Sequence, residues 1–283
     1  MADLLRTAHP QLQLDLIPIT TSGDRARGGP DDKSRFVKEI EEALLAGEID
    51  LAVHSAKDVP AELPAGLEIA GVPPAEDPRD ALVGAASVEA LPEGARVGTS
   101  SLRRRSQLLA LRADVNVVPL RGNVDTRLRK LAEGECDAAL LALAGLRRLG
   151  RESEAGAALD AATFVPAPGQ GILALETSTT SDARGLLAAI GDTIARARLD
   201  AERAVVETLE TSCHTPVGAH ARIAGDTIEV HAYAGLPDGS EWITDRLVAP
   251  AADPASAGAE LARRMLAAGA GDLLRRAAGT LGP

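Results

Sequence analysis

The chain has 283 residues, a formal net charge of −11, and 45% hydrophobic, 25% charged and only 1% aromatic residues. Its length is sufficient for two or three domains, each with its own core. The acidic charge and the scarcity of aromatic side chains disfavour nucleic-acid binding, which depends on basic phosphate contacts and base stacking. No apolar run reaches the ~20 residues of a membrane span, and the first residues lack the pattern of a signal peptide.

The first part of the chain predicts alternating helices and strands. Residues 2–8 have the pattern of the end of an amphipathic helix, and residues 12–19 alternate like a strand. After a polar loop rich in glycine and proline, apolar positions over 36–44 predict a helix that ends at Gly47. A strand at 49–53 then delivers the segment HSAKDVP at its C-terminal end, where open α/β sheets bind ligands.

The middle of the chain continues this alternation, with Asn123 as a predicted N-cap and Gly134 as a predicted C-cap. The predicted elements are strands at 96–99, 115–120 and 137–143 and helices at 102–111 and 124–132. Such an order favours a mainly parallel sheet with helices on both faces. Proline-containing segments at 73–80 and 166–176 indicate crossovers between this unit and the first one.

The last part of the chain has a different pattern, in which short alternating strands follow a long helix. The predicted elements are a helix at 193–209, strands at 221–223, 227–232 and 241–248, and a helix at 255–276. This order predicts a small α+β unit.

Arginines cluster at two predicted strand-to-helix turns. Arg103 and Arg104 follow Ser101, and Arg121 and Arg127 flank the Asn123 cap. Helix N-termini attract anions, and guanidinium groups bind carboxylates or phosphates with two parallel hydrogen bonds. In an acidic chain, this clustering predicts a local site for a polyanionic ligand. The alternative, which is the better interpretation for any single arginine, is an exposed helix face paired with nearby acids.

Two further residues are candidates for chemistry. Asp58 lies at a strand end, where a carboxylate could stabilise a developing positive charge or transfer a proton. The alternative is that it pairs with Lys57 or caps a turn. Cys213 lies in a loop beside His214 and is either a reactive thiol or a small buried hydrophobic residue. Two cysteines are too few for a disulfide framework and favour a reducing, cytoplasmic compartment, and no spacing of ligands indicates a metal site.

Several segments together resemble the porphobilinogen deaminase family, also called hydroxymethylbilane synthases. They occur in the family's order from about residue 14 to the end of the chain. The matching segments are FVKEIEEALLAGEIDLAVHSAKDVP, EDPRDALV, VGTSSLRRRSQL, LRGNVDTRLRKL, AGLRRLG, PAPGQGILALE and ERAVVETLETSCHTPVGAHA.

The resemblance implies an α/β fold with two domains like type II periplasmic-binding proteins and a small α+β third domain. The expected boundaries are 1–75 with 172–190, 76–171 and 191–283. It also implies a transferase that joins four porphobilinogen units head to tail in porphyrin and haem biosynthesis. Ammonia is released at each addition, and the product is linear hydroxymethylbilane. The implied enzyme is a cytoplasmic monomer that carries a covalent dipyrromethane cofactor and binds neither nucleic acid nor membrane.

The family's functional residues can be carried over to matching positions. Asp58 matches the catalytic aspartate, and Cys213 matches the cofactor-attachment residue. Lys33 and Phe36 match the mobile loop region over the site, and Gln170 is assigned to the substrate. The positions implied for binding the cofactor and the growing oligopyrrole are Ser55, Lys57, Thr99, Ser101, Arg103, Arg104, Arg121, Gly122 and Arg127. Each pyrrole ring carries an acetate and a propionate, so such a ligand needs several cations.

The sequence departs from the family pattern in three places. A strand resembling RIGTRxSxLAxxQ, which contributes an Arg and a Ser to the cofactor site, is expected before the first helix and is missing here. The loop reads GGPDDKSRF where the family often has GGKGLF, and the cysteine loop reads TSCHTPVG where GGCxxPxG is commoner. The alternative function is therefore a truncated or inactive member that binds polycarboxylates as a clamshell. A nucleic-acid binder is a third and weaker alternative.

Overall fold

The computed structural model describes residues 1–19, 34–210 and 215–279, with the backbone alone at 34–36. The helices are α1 (Ala2–Ala8), α2 (Ser34–Leu45), α3 (Leu102–Leu111), α4 (Val124–Ala132), α5 (Leu143–Arg148), α6 (Ala183–Leu187), α7 (Thr193–Thr208), α8 (Pro254–Ala267) and α9 (Ala270–Gly279). The strands are β1 (Ala52–Ser55), β2 (Leu67–Gly71), β3 (Asp80–Val83), β4 (Arg96–Gly98), β5 (Asn116–Val118), β6 (Ala138–Ala142), β7 (Ala155–Ala158), β8 (Leu173–Ser178), β9 (Val217–Ala224), β10 (Thr227–Gly235) and β11 (Trp242–Pro250). They form three sheets. Over the described ranges, no helix has the length and apolar character needed to cross a membrane.

The first sheet has the strand order β1-β8-β2, and both pairings are antiparallel. Helix α1 was predicted correctly, and its Leu5 packs with Leu175 of β8 in one apolar cluster. The strand predicted at 12–19 was wrong, because no described strand pairs with this segment. Leu16 and Ile17 are 77% and 58% exposed there. A period-two pattern becomes a strand only where a neighbouring strand can accept its hydrogen bonds.

The second sheet has the strand order β5-β4-β6-β3-β7. Strand β4 runs parallel to β5 and β6, whereas β3 runs antiparallel to β6 and β7. The predicted parallel pairing is therefore confirmed for β4, β5 and β6, but the prediction missed β3 and β7, whose pairings are antiparallel. Strand β3 is a short apolar run that is buried throughout, and its length gives it no periodicity to recognise. The sheet packs on a core that includes Leu82, Val97, Leu108, Leu140 and Phe164.

The third sheet is an antiparallel meander with the order β11-β10-β9, and helices α7 and α8 cover it. Its core includes Val205, Ile228, Val230, Leu261 and Met265. The long helix and the strands were predicted, although β9 begins earlier, at Val217. The single helix predicted at 255–276 is two helices, because Gly269 has φ +100° and a left-handed residue ends an α-helix.

The chain crosses twice between the first and second sheets, and the two crossing segments touch. Glu76 N donates to Gly171 O at 2.9 Å. Gly171 has φ +85°, and a Cβ there would lie 2.4 Å from Glu76 O, so this contact requires glycine. The crossing segments bring the end of β1 close to the start of helix α3.

Candidate active site

Two helices begin at the same edge of the second sheet. Strands β4 and β5 are parallel, and Thr99 N donates to Val118 O at 2.9 Å where they end. Helix α3 then starts at its N-cap Ser101, whose hydroxyl accepts from Arg104 N at 3.4 Å. Helix α4 starts at Asn123, which accepts from Thr126 N at 2.9 Å, so this predicted cap is confirmed. Two positive helix ends therefore lie side by side, as an anion site requires.

Arg103 and Arg104 form what we call the buried arginine turn, because both are at most 5% exposed and share the Asp80 carboxylate. Arg103 Nη1 donates to Asp80 Oδ2 at 2.7 Å and to Val165 O at 2.7 Å. Arg104 Nε donates to Asp80 Oδ1 at 2.8 Å, and its Nη1 donates to Leu140 O at 3.0 Å. Two guanidinium groups against one carboxylate leave an excess of positive charge at the start of α3.

The charges of this cluster determine the protonation of Asp80. Burial alone would raise the pKa of the Asp80 carboxyl, but the charges of Arg103 and Arg104 and hydrogen bonds from Arg103 and Gln170 outweigh it. Its pKa therefore lies well below the ordinary value, and the carboxylate is ionised at neutral pH. Burial lowers the pKa of Arg104, which Asp80 and, more weakly, Asp58 oppose. The carboxylate of Asp58 therefore lies within electrostatic range of the buried arginine turn.

Gln170 connects the end of β1 to the same cluster. It is 1% exposed, and its Nε2 donates to Asp80 Oδ1 at 3.0 Å and to Pro78 O at 2.6 Å. Its Oε1 accepts from Lys57 Nζ at 3.4 Å. A continuous polar chain thus runs from the half-buried Lys57 to Asp80, joining residues that lie on opposite sides of the crossing segments.

Asp58 ends a short 3₁₀ turn, Ala56–Asp58, that follows β1 directly after Ser55. Ala56 N donates to Ile172 O at 2.9 Å, which ties the turn to the second crossing segment. Gly169 packs against it so closely that a Cβ at that position would lie 2.9 Å from Ala56 C. Ser55 and Asp58 are both half-buried, so the carboxylate is held on a fixed turn with access to solvent.

Arg121 and Arg127 form what we call the exposed arginine turn, at the start of α4. Arg121 is exposed, and Arg127 is half-buried and donates from Nε to Gly122 O at 2.6 Å. Gly122 has φ +116°, and a Cβ there would lie 2.6 Å from Thr126 Cγ2, so the turn requires glycine. This guanidinium pair lies near the cap of α4 and reaches solvent at the edge of the sheet.

The structure also identifies a site residue that sequence reasoning missed. Asp80 is the counter-ion of the buried arginine turn, and its signal in the sequence is an acid that opens the otherwise apolar run DALV. Two predicted site residues, Lys33 and Cys213, lie outside the described residues. Phe36 lies in the first turn of α2, where only the backbone is described.

Two family models match most of this chain. Residues 1–184 match the family model described as porphobilinogen deaminase, dipyromethane cofactor binding domain, and residues 197–267 match the porphobilinogen deaminase C-terminal domain. This chain belongs to the porphobilinogen deaminase family. A porphobilinogen deaminase of Roseiflexus castenholzii is 47% identical over 279 residues, which cover 96% of this chain and 92% of that protein. A porphobilinogen deaminase of Syntrophotalea carbinolica is 46% identical over 277 residues, which cover 95% of this chain and 88% of that protein.

Among solved structures, the periplasmic VFT2 domain of Bordetella pertussis BvgS matches 67% of this chain and 74% of its own, with 18% identity and a TM-score of 0.38. The mixed α/β architecture with a separate C-terminal α+β sheet follows from the strand orders given above and from the two family models.

Proposed function

We propose that this chain is a hydroxymethylbilane synthase, a transferase that joins four porphobilinogen units head to tail and releases ammonia at each addition. Its substrate is porphobilinogen, and we infer that it acts as a cytoplasmic monomer. The observation that carries the proposal is that Asp58 lies within electrostatic range of Arg104 in the buried arginine turn, which shares one sheet edge with the exposed arginine turn. A carboxylated pyrrole chain needs cations along its length and an acid at the reacting ring; the two arginine turns supply the cations and Asp58 supplies the acid.

The residues at this edge fit a dipyrromethane cofactor, whose rings carry acetate and propionate groups. Cys213 would hold it covalently, and the exposed Arg121, the half-buried Lys57 and the N-terminus of α3 at Ser101 would bind its carboxylates. When bound, the cofactor supplies the terminal pyrrole carbon to which the first substrate is joined. The residues of this chain orient the carboxylates and bring the reacting rings to Asp58.

The two arginine turns have different tasks in this proposal. The buried arginine turn already directs several of its donors to Asp80, Val165 and Leu140, so it mainly provides fixed positive charge at the start of α3. The exposed arginine turn can place its guanidinium groups against the carboxylates of the growing chain. Fixed charges and dipoles are effective in catalysis because they do not reorganise during the reaction.

Asp58 is assigned to the reacting pyrrole. Loss of ammonia from porphobilinogen leaves an electron-poor ring, and positive charge develops on pyrrole nitrogen as the new carbon–carbon bond forms. A half-buried carboxylate at the end of β1 can accept a hydrogen bond from that nitrogen and stabilise its charge. It can also take part in the proton transfers that complete each addition.

Intact-protein mass spectrometry tests this proposal on freshly purified protein. We expect the wild-type chain to carry an added mass of two pyrrole units, which disappears in Cys213→Ala. The matched control is Cys136→Ala, at a cysteine that is 3% exposed, packs with Leu120 and Ala139, and should keep the added mass when replaced. A bare polypeptide mass for the wild-type chain, together with no bilane formed from added porphobilinogen, would sink the proposal.

A noncatalytic carboxylate-binding protein is the second candidate. The observation in its favour is the number of arginines at the sheet edge, which would bind a polycarboxylate without any reaction. The two candidates differ in their products: the binding protein would retain porphobilinogen unchanged, whereas the enzyme releases ammonia in proportion to substrate consumed.

A further inference from the structure

Helix α3 has a second buried contact, with the turn that joins β10 to β11. Ser106 is fully buried, and its hydroxyl donates to Leu236 O at 2.6 Å. The hydroxyl oxygens of Ser106 and Tyr233 are 2.7 Å apart. Because the one hydroxyl proton of Ser106 is used on Leu236, Tyr233 is the donor in this second hydrogen bond. Arg105 adds a hydrogen bond from its Nε to Pro237 O at 3.1 Å.

Two glycines make this close approach possible. A Cβ at Gly235 would lie 2.4 Å from the hydroxyl oxygen of Tyr233 and 2.6 Å from that of Ser106. At Gly239, which has φ +73°, a Cβ would lie 2.5 Å from Ala110 N of helix α3. Any larger residue at either position would push the turn away from the helix, so the contact is built into this part of the fold.

The same sheet leads to the proposed attachment cysteine. Strand β9 begins at Val217, shortly after Cys213, and pairs with β10 so that Tyr233 lies opposite Gly218. A Cβ at Gly218 would lie 2.8 Å from Val165 O, the carbonyl that also accepts from Arg103 of the buried arginine turn. The third sheet therefore contacts helix α3 directly, through the hydrogen bond between Tyr233 and Ser106. It also contacts α3 indirectly, because Val165 lies between Gly218 and Arg103.

We infer that Tyr233 is a positioning residue: its hydrogen bond to Ser106 fixes helix α3, and with it the buried arginine turn, relative to the strand that follows the attachment loop. This inference rests on the proposed function, because it concerns the distance between a tethered ligand and the charges that hold its carboxylates. Small displacements of positioning groups can lower catalytic rates by about 10²-fold without loss of the groups themselves.

The test compares Tyr233→Phe, which removes one hydroxyl, with Thr227→Val as the control. Thr227 also lies on β10, but its hydroxyl donates to Ala224 O in an exposed turn that does not contact α3. For Tyr233→Phe we expect the cofactor mass to be kept, kcat per folded molecule to fall roughly tenfold or more, and KM for porphobilinogen to stay within about threefold. The control should match wild type in all of these measurements.

A second variant and a double variant separate positioning from simple stabilisation. Ser106→Ala should reproduce the fall in kcat, and the double variant should be no slower than the worse single variant, because all three lack the same contact. Urea unfolding of the wild type, the two single variants and the double variant should show the same non-additivity in the free energy of unfolding, independently of activity. If Tyr233→Phe proves unfolded, the kcat of Ser106→Ala tests the inference instead. Wild-type kcat in the folded variant, or fully additive effects, would overturn the inference.

Failure of the inference can be told apart from failure of the proposed function. If the wild-type chain carries the cofactor mass and forms bilane while Tyr233→Phe keeps wild-type kcat, only the positioning role is lost. If the wild-type chain carries no such mass and forms no bilane, both are lost.

Discussion

The buried and exposed arginine turns arise from one sequence signal, arginine beside a helix N-cap after a parallel strand, yet their surroundings differ. At the start of α3, Arg103 and Arg104 are 4% and 5% exposed and share the fully buried carboxylate of Asp80. At the start of α4, Arg121 is exposed to solvent at the same sheet edge. The position of a counter-ion on a distant strand decides which turn becomes part of the core and which can bind a ligand.

This difference implies two kinds of sensitivity to mutation. A buried charge that loses its partner destabilises the fold, because water cannot replace the partner. An exposed charge contributes little to stability, because solvent screens it, but it can contribute to ligand binding. The buried turn should therefore be detected by unfolding experiments and the exposed turn by kinetics.

The largest expected effect is on the stability of Asp80→Ala. Removing this carboxylate leaves two buried guanidinium groups without their shared partner, so we expect the free energy of unfolding to fall by about 3–5 kcal/mol. Urea unfolding of wild type and variant measures this loss of free energy. Glu133→Ala is the control, since its ion pair with Arg129 is at least half exposed and should cost about 0.3–0.5 kcal/mol. Equal losses in the two variants would contradict the distinction between the turns.

A smaller effect, on activity, is expected for Arg121→Ala. Loss of charged hydrogen bonds to substrate carboxylates should reduce transition-state stabilisation by about 1.5–3 kcal/mol, a roughly ten- to hundredfold fall in kcat/KM. The free energy of unfolding should change by less than about 1 kcal/mol. Steady-state kinetics and urea unfolding check both parts, with Arg129→Ala on helix α4 as the control. Unchanged kinetics would assign Arg121 to an ordinary solvated surface.

The smallest expected effect concerns pH. The pKa of Asp80 is depressed in the folded chain, so its contribution to stability is complete above its ordinary value of 3.8 and is lost as pH falls further below that value. Asp80→Asn should therefore show a flatter decline of stability than wild type on acidification below about pH 4. Unfolding followed from neutral to acidic pH measures the slopes. Parallel slopes in the two proteins would mean that Asp80 does not titrate as the buried turn requires.

The contribution of Glu41 to stability should change with pH in the opposite direction to that of Asp80. Burial and the charge of Glu176 raise the pKa of Glu41, while His54 opposes them, with its Nε2 2.9 Å from Glu176 Oε2. A raised carboxyl pKa means that stability falls as pH rises from the ordinary value of 4.5 through the folded value. Glu41→Gln should remove this decline, and an unchanged profile between about pH 4 and pH 7 would contradict it.

What the sequence could predict follows from the range of the interactions involved. The Asn123 cap and helix α7 depend on neighbours within a few residues, and both were predicted. The pairing of Asp80 with Arg103 spans 23 residues and joins strand β3 to helix α3, so no local pattern indicates it. The strand predicted at 12–19 failed for the same reason, since its alternation is local and its partner would have to come from elsewhere.

The roles of the candidate site residues came from the family resemblance, and they stay predictions. The structure adds the reason for their spacing: Lys57, Gln170 and Asp80 form one polar chain across the crossing segments. Neither the helix break at Gly269 nor the strands β3 and β7 could be recognised, because a lone glycine and two short apolar runs are common in other contexts.

The central claim is that Asp58, held beside the buried arginine turn, acts on the reacting pyrrole. The most direct test adds porphobilinogen to purified Asp58→Ala and follows both protein mass and bilane formation. We predict that the variant keeps the mass of its cofactor, or stalls with further units bound, and loses nearly all turnover. The control Glu62→Ala, at an exposed acid a few residues on, should match wild type. Bilane formation by Asp58→Ala at the wild-type rate would contradict the claim.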